Sequence, residues 1–367
     1  MNVLNIVDVK KFISGKKIVV VTGVTGQVGS TMVDYLIKNT DFTIIGGVRR
    51  VSVSNHQNIS HLVNEPRFKL VNFDLSDVQC INKIIFELQP DYFINLAAQA
   101  FVGCSWDFPI QTWQCNTTPI IHILESIRQY KPTCRFYNAG SSEEFGNVTY
   151  TPQDENHPMK PRSPYGASKS ASRQLVKVYR ESYNLYAVQG ILFNHEGIRR
   201  GEEYVTRKIT KGVAKIKHSL LNKTEFSALE LGNINSYRDW SDASDFVDGI
   251  WKMMTQIKPS EYVLSSGETH SIKEFIDLSF KYADINGSWH GTGQGEEFSI
   301  SVNDFHKYMP NQSVLVKINP IFYRPAEVDI LLGDNTKAKN ELGWDPKTTF
   351  KQLVEKMIKN DLSLLGI

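Results

Sequence analysis

The chain has 367 residues, and its 41 Lys and Arg stand against 39 Asp and Glu, a net charge of +2. So even a balance excludes binding driven by a polyanion such as nucleic acid. No apolar run reaches membrane length, Met1 to Gly15 lacks a signal-peptide core, and Cys80, Cys104, Cys115 and Cys134 lack metal-ligand spacing, so a cytoplasmic chain with no metal centre and an ample core is expected.

Residues 1–15 read as a short extension before the fold. Lys17 to Thr22 is an apolar, β-branched run of the kind buried on both faces of a parallel sheet. It leads into Gly23-Val24-Thr25-Gly26-Gln27-Val28-Gly29 and then a helical pattern through Met32, Val33, Leu36 and Ile37. Strand, glycine turn and helix together predict a dinucleotide site. The glycines allow close backbone approach, and the helix N-terminus meets a pyrophosphate. The second strand, Thr43 to Val48, ends in Arg49-Arg50 where an NAD-preferring fold would carry an acidic residue. Two arginines suit a 2′-phosphate, so NADP is the expected cofactor.

Phe68 to Phe73 reads as a third strand, followed by Asp74-Leu75, a helix over Val78 to Leu88 and a strand over Tyr92 to Asn95. Leu96, Ala97, Ala98, Gln99 and Ala100 follow, mostly small residues that let backbone approach a ligand. A long helix from about Trp113 to Arg128 and a fifth strand, Cys134 to Ala139, lead to Ser141-Ser142-Glu143. Tyr165 and Lys169 are then four residues apart on a helix, which puts both on one face, one turn apart. The Lys169 ammonium is expected to favour the Tyr165 phenolate and make it a base near neutral pH. Ser141 can hydrogen-bond the same hydroxyl. The strand Ala187 to Phe193 closes an alternation that predicts an α/β fold, a doubly wound parallel sheet of Rossmann type.

After Phe193 the rhythm changes. Asn194 to Glu202 is polar and loop-like, a helix spans Tyr204 to Ile216, and Ala243 to Met254 forms a helix that returns to the first unit. From Tyr262 the pattern is shorter and mixed, ending in a helix over Phe350 to Leu362. The expected division is a dinucleotide-binding unit over 16–193 with a returning segment over about 238–258. A smaller interleaved substrate unit takes 194–237 and 259–367.

Together these stretches resemble the extended short-chain dehydrogenase/reductases acting on nucleotide sugars, most closely the GDP-mannose 4,6-dehydratases. The likeness is carried by T-G-V-T-G-Q from Thr22, V-R-R from Val48, N-L-A-A-Q from Asn95, S-S-E from Ser141 and P-R-S-P-Y-x-x-x-K ending at Lys169. Y-R-E-S-Y from Tyr179, G-I-L-F-N-H-E from Gly190, V-T-R-K-I-T from Val205, L-G-N from Leu231, R-D-W from Arg238 and Y-R-P-A-E-V from Tyr323 extend it. The resemblance implies a catalytic set of Ser141, Glu143, Tyr165 and Lys169. It implies cofactor contacts from the glycine turn (Gly23, Thr25, Gly26, Gln27, Val28, Gly29), Arg49, Arg50, Asp74, Leu75, Leu96, Ala98, Gln99, Tyr165, Lys169, His195 and Arg200. Asn194, Thr206, Lys208, Arg238, Arg324 and Glu327 would hold the GDP-sugar. A homodimer or homotetramer would be the assembly.

The implied reaction removes water from a GDP-manno sugar, with internal redox recycling on NADP, to give a GDP-4-keto-6-deoxy sugar. Related dTDP-glucose dehydratases carry an Asp-Glu pair after the Ser/Thr; here Ser142 takes the Asp position, leaving Glu143 as both base and acid. A reductase or 4-epimerase on the same fold would need no Glu143, and a non-catalytic scaffold would need none of the set. The chain departs from the family at Val28, Ala100-Phe101, Gln111 and Gly197-Ile198, which leaves the sugar open between mannose, a manno-heptose and another hexose. Glu144 departs as well, replacing an apolar residue, and is expected to point away from Glu143 along an extended segment.

Overall fold

The computed structural model describes residues 2–13, 15–323 and 330–367. The chain runs through β1 (Val3–Leu4), α1 (Ile6–Lys10), β2 (Ile18–Thr22), α2 (Gln27–Asn39), β3 (Thr43–Val48), β4 (Phe68–Asn72), α3 (Val78–Leu88) and β5 (Tyr92–Asn95). It continues through α4 (Cys104–Asp107), α5 (Pro109–Asn116), α6 (Thr118–Tyr130), β6 (Arg135–Ala139), α7 (Pro164–Tyr183) and β7 (Ala187–Leu192). Then come β8 (Asn194–Glu196), α8 (Val205–Asn222), β9 (Leu229–Leu231), β10 (Tyr237–Arg238), β11 (Trp240–Asp242), α9 (Ala243–Thr255) and β12 (Tyr262–Leu264).

Among the described residues the central sheet has eight strands in the order β1-β4-β3-β2-β5-β6-β7-β12. Every neighbouring pair is parallel. All five residues of β2 are buried, as a β-branched run covered on both faces should be. The chain winds outward from β2 to β3 and β4, then crosses back to β5, so the β2/β5 junction is the point where strand order reverses. Ligands of open α/β sheets bind in the crevice at such a point.

Three expectations change. The stretch expected to be a short extension is part of the fold over residues 3–10, because β1 pairs in parallel with β4 and α1 buries Ile6 and Val9 against the sheet. Two strand residues and five helical ones are too few to show periodicity. The helix expected over Trp113 to Arg128 is broken at Thr117 into α5 and α6, with Pro119 in the first turn of α6 where its missing N–H is harmless. Tyr262–Leu264, assigned to the substrate unit, instead adds β12 to the central sheet beside β7.

The second core lies among α8, β13 (His270–Ser271), α10 (Ile272–Tyr282), β14 (Gly287–His290), β15 (Glu297–Ile300), α11 (Val302–Tyr308), β16 (Val314–Ile318) and α13 (Phe350–Ser363), whereas β17 (Ile330–Leu331) and α12 (Thr336–Leu342) send Leu331, Ala338 and Leu342 back into the first core. The sheet β14-β15-β16-β9 and helices α8, α10 and α13 enclose Ile209, Val213, Phe275, Val316, Leu353 and Met357. A parallel pairing of β8 with β11 joins the sheet's end to this core.

Candidate active site

The glycine turn is built for close approach. Gly23 has φ +70°, and a Cβ there would lie 2.8 Å from the Leu96 and Ala97 backbone. A Cβ at Gly29 would meet the Gly23 carbonyl oxygen at 2.1 Å. Gly26 precedes α2 with no side-chain cap, so the first N–H groups of that helix keep their donors for a ligand. Thr25 is held through its carbonyl by Asn58 (2.9 Å), and Val28 is half-buried. Gln27 is buried and donates to the His195 carbonyl at 2.9 Å, while its Oε1 has no partner.

The neighbouring strand ends frame the same crevice. Leu96 and Ala97 N–H groups both donate to Thr22 Oγ1 at 3.1 Å, which leaves Ala98 exposed beyond them. Gln99 is tied by its N–H to Asn116 Oδ1 (2.9 Å), and its buried Oε1 is unpartnered. Arg49 and Arg50 are exposed at the end of β3 and make no ion pair among the described residues. The Asp74 carboxylate is taken up locally, accepting from Ser76 N (2.9 Å) and Oγ (2.7 Å), with Leu75 buried beside it. A cradle that a Cβ would fill, free helix N–H groups and two orphaned amide oxygens fit a dinucleotide.

The proton-handling groups sit at the ends of β6 and α7. Ser141 follows β6 and starts a single 3₁₀ turn over Ser142–Glu144, its Oγ accepting from Glu143 N at 3.2 Å. Ser163 caps α7 by accepting from Gly166 N (3.0 Å), with Pro164 in the first turn. This cap sets Tyr165 near Ser141, whose hydroxyl acts on the phenol to lower its pKa. Lys169, one turn on, donates Nζ to the Ala139 carbonyl at 2.7 Å and lies 5.8 Å from the Tyr165 ring centre.

The expected acidification of Tyr165 by Lys169 is absent here. Burial pushes the phenol well above its usual range, the Ser141 hydrogen bond pulls it down, and the charges of Tyr204, Glu143 and Glu144 push it up. Burial also brings Lys169 down to about 8, against an upward pull from Glu144. A base at Tyr165 therefore depends on what else enters the site. Glu143 is half-buried, and its charge is felt at the Tyr165 phenol.

Beyond β7 the structure treats the inferred contacts unevenly. Asn194 starts β8 and is half-buried. The His195 ring donates Nδ1–H to the Phe193 carbonyl (2.8 Å) and packs on Phe246 at 4.9 Å. Burial first, and then the Arg200 charge, bring it down to about 4, so it is neutral at pH 7. Arg200 pairs with Glu196 at 3.0 Å and lies 3.5 Å over the Tyr204 ring. Thr206 is fully buried, and its hydroxyl donates to Glu196 at 2.5 Å. A helix-start threonine beside a buried carboxylate finds that acceptor first. Lys208 stands 3.8 Å over the Phe322 ring in a cavity of about 580 Å³ that Lys211, Lys215, Phe226, Glu230 and Phe322 also line. Arg238 is buried, with Nη1 donating to the Tyr237 carbonyl at 2.7 Å. Arg324 and Glu327 lie outside the described residues.

One group escaped the sequence reading. Glu144 does not point away on an extended segment. The 3₁₀ turn swings it under the site, where Oε1 accepts from Ser141 N and from Gln189 Nε2, both at 2.9 Å. The signal was legible as a capping box, Ser followed three residues later by Glu. Gln189 also ends a buried polar row across the sheet. Thr22 donates to Asn95 (2.6 Å), Asn95 to Asn138 (2.9 Å) and Asn138 to Gln189 (2.6 Å), on strands paired in register.

Serine, tyrosine and lysine gathered at strand ends beside a glycine turn define a class, the extended short-chain dehydrogenase/reductases. Within it the comparisons are specific. The family model described as GDP-mannose 4,6 dehydratase matches residues 20–357. The GDP-mannose 4,6 dehydratase of Drosophila melanogaster is 42% identical over 360 residues, covering 96% of this chain and 88% of that protein. The chain belongs to the GDP-mannose 4,6-dehydratase family. Solved structures share the fold at lower identity. The dTDP-glucose 4,6-dehydratase of Streptomyces venezuelae, with NAD and TYD bound, has a TM-score of 0.76 at 18% identity, covering 95% of this chain and 98% of that one. RMD of Pseudomonas aeruginosa, complexed with NADPH, has a TM-score of 0.72 at 21% identity, covering 95% and 99%.

Proposed function

We propose that this protein removes water from a GDP-manno sugar to give a GDP-4-keto-6-deoxy sugar. The observation that carries the reading is a half-buried carboxylate, Glu143, within electrostatic reach of the Tyr165 phenol and one residue beyond Ser142. A 4-reductase or 4-epimerase has no use for a base there. Family membership supports the same substrate class.

The glycine turn, the first N–H groups of α2 and the backbone of Leu96 and Ala98 would hold a nicotinamide dinucleotide, with Gln27, Gln99, His195 and Arg200 around it. Arg49 and Arg50 favour the 2′-phosphorylated form, NADP. Held there, it would supply reversible hydride chemistry with no net oxidation or reduction over the turnover. Tyr165 Oη takes the proton of the 4-hydroxyl, which Ser141 Oγ orients by a second hydrogen bond. With cofactor and substrate in the site, the Lys169 ammonium behind it would favour the phenolate. With a carbonyl at carbon 4 the proton on carbon 5 becomes acidic. Glu143 removes it and hands a proton to the departing 6-hydroxyl, which leaves as water. Ser142 cannot share this work, so one carboxyl acts first as base and then as acid.

Lys208 and Arg238, with Asn194, would hold the nucleotide end, because cations suit a pyrophosphate and an aromatic-lined cavity suits a base. The division proposed is cofactor on the central sheet and nucleotide sugar among α8, β9 and the segments after β12. No helix among the described residues is long and apolar enough to cross a membrane. A cytoplasmic homodimer or homotetramer completes the proposal, and the exposed Ile110, Trp113 and Val178 are apolar surface such an assembly could cover.

The test is mass spectrometry of products from a panel of GDP-, UDP- and dTDP-sugars. Loss of one water from a GDP-sugar with no net consumption of NADPH is the expected result. Steady NADPH consumption, or an isomer of unchanged mass, would overturn the reading in favour of a reductase or an epimerase.

A further inference from the structure

Glu144 has no step in the reaction above, yet it is fully buried beneath Ser141, Tyr165 and Lys169. Its Oε1 fixes the backbone N–H of Ser141 and accepts from Gln189 Nε2, which also donates to the Lys169 carbonyl at 3.1 Å. Its Oε2 is buried without a partner, as is the Tyr137 hydroxyl on β6. The groups facing it are Lys169, Arg173 and Tyr165 from α7 and Tyr137 from β6, with Glu143 beside it in the 3₁₀ turn. Arg173 is already paired with Glu261 at 3.0 Å.

A buried ammonium loses its proton unless an opposite charge stands near, and a buried carboxylate gains one on the same terms. Among the described residues the carboxylate whose charge raises Lys169 is Glu144, and Lys169 in turn lowers Glu144. The two are therefore mutually dependent. Burial leaves Lys169 near 8 and Glu144 near 7, so both charges lie within reach of ordinary solution pH.

We propose that Glu144 is a positioning residue for the reaction: its carboxylate fixes Ser141 through the backbone N–H and keeps the Lys169 ammonium charged behind Tyr165, and so sets the upper pH limit of turnover. The inference rests on the dehydratase reading for its link to turnover, and on shared burial, the Gln189 bridge and the mutual electrostatics for its link to Lys169.

Two measurements separate these dependences. In the first, kcat for dehydration of GDP-mannose is followed against pH for the wild type and Glu144→Gln. The amide keeps an acceptor for Ser141 N–H and removes only the charge. The fall in kcat on the alkaline side should move to lower pH by about one unit. A purely structural cap would leave that limb in place. Glu144→Leu removes the same charge without burying a new polar group, so the limb should move the same way even where the amide packs poorly. In the second, the protein carries 13C at its lysine Cε positions and is titrated by NMR, the Lys169 signal being the one lost in Lys169→Arg. Lys169 should lose its proton at lower pH in both Glu144 variants than in the wild type. A Lys169 titration identical in the wild type and both variants overturns the inference. A wild type that dehydrates no GDP-sugar, with the Lys169 shift still present, overturns the dehydratase reading and leaves the coupling standing.

Discussion

Glu143 and Glu144 are neighbours in sequence with opposite surroundings, one half-buried beside the Tyr165 phenol and the other sealed beneath it. The half-buried one is the proposed base. A general base contributes about 10²–10⁴-fold, so Glu143→Gln should lose turnover on that scale. Oxidation at carbon 4 does not need Glu143, so reduced nicotinamide should accumulate on the enzyme and be seen by its absorbance. Tyr165→Phe should give no such signal, because oxidation itself fails. Normal turnover by Glu143→Gln would remove the dehydratase mechanism. Arg49 is tested on the cofactor. If it holds a 2′-phosphate by a charge-assisted contact of roughly 1.5–3 kcal/mol, Arg49→Asp should lower the NADP-over-NAD affinity ratio about tenfold or more. Equal wild-type affinity for the two would dismiss the arginine reading.

At the scale of elements, two short pieces behave differently from their local pattern. The 3₁₀ turn over Ser142–Glu144 converts an expected strand-like alternation into a capped turn, and that turn puts Glu144 under the site. The N-terminal pair β1 and α1 extends the sheet past β4 and seals Ile6 and Val9 into the core with Val71, Leu75, Ile81 and Ile85. Burying two aliphatic side chains is worth roughly 1.5–3 kcal/mol each. Deleting residues 1–15 should therefore destabilise the protein by roughly 3 kcal/mol or more in chemical denaturation. A truncated chain as stable as the full one would return these residues to the status of an extension.

On the scale of the whole molecule, the crevice at the sheet's switch point and the cavity under Lys208 are built by different parts of the chain. The first uses the ends of β2, β3, β5 and β6, and the second uses α8, β9 and Phe322. A contact to the nucleotide end is made equally in ground and transition states. Lys208→Ala should therefore raise KM for the GDP-sugar several-fold while kcat changes little. A large fall in kcat at unchanged KM would move Lys208 away from nucleotide binding.

The local signals were strong where one short stretch carries its own geometry. A β-branched run and glycines with no room for a Cβ declare the sheet and the turn, and a Tyr four residues before a Lys declares their shared helix face, without reference to distant residues. The capping box at Ser141 is equally local, and it overrides the strand alternation that the preceding residues suggest. What only the tertiary structure decided depends on neighbours far away in sequence. That Thr206 spends its hydroxyl on Glu196, that β12 joins the central sheet, and that burial dominates at the Tyr165 phenol are such cases. Each follows from desolvation or from competition among acceptors, and both exist only once the chain has closed around the group.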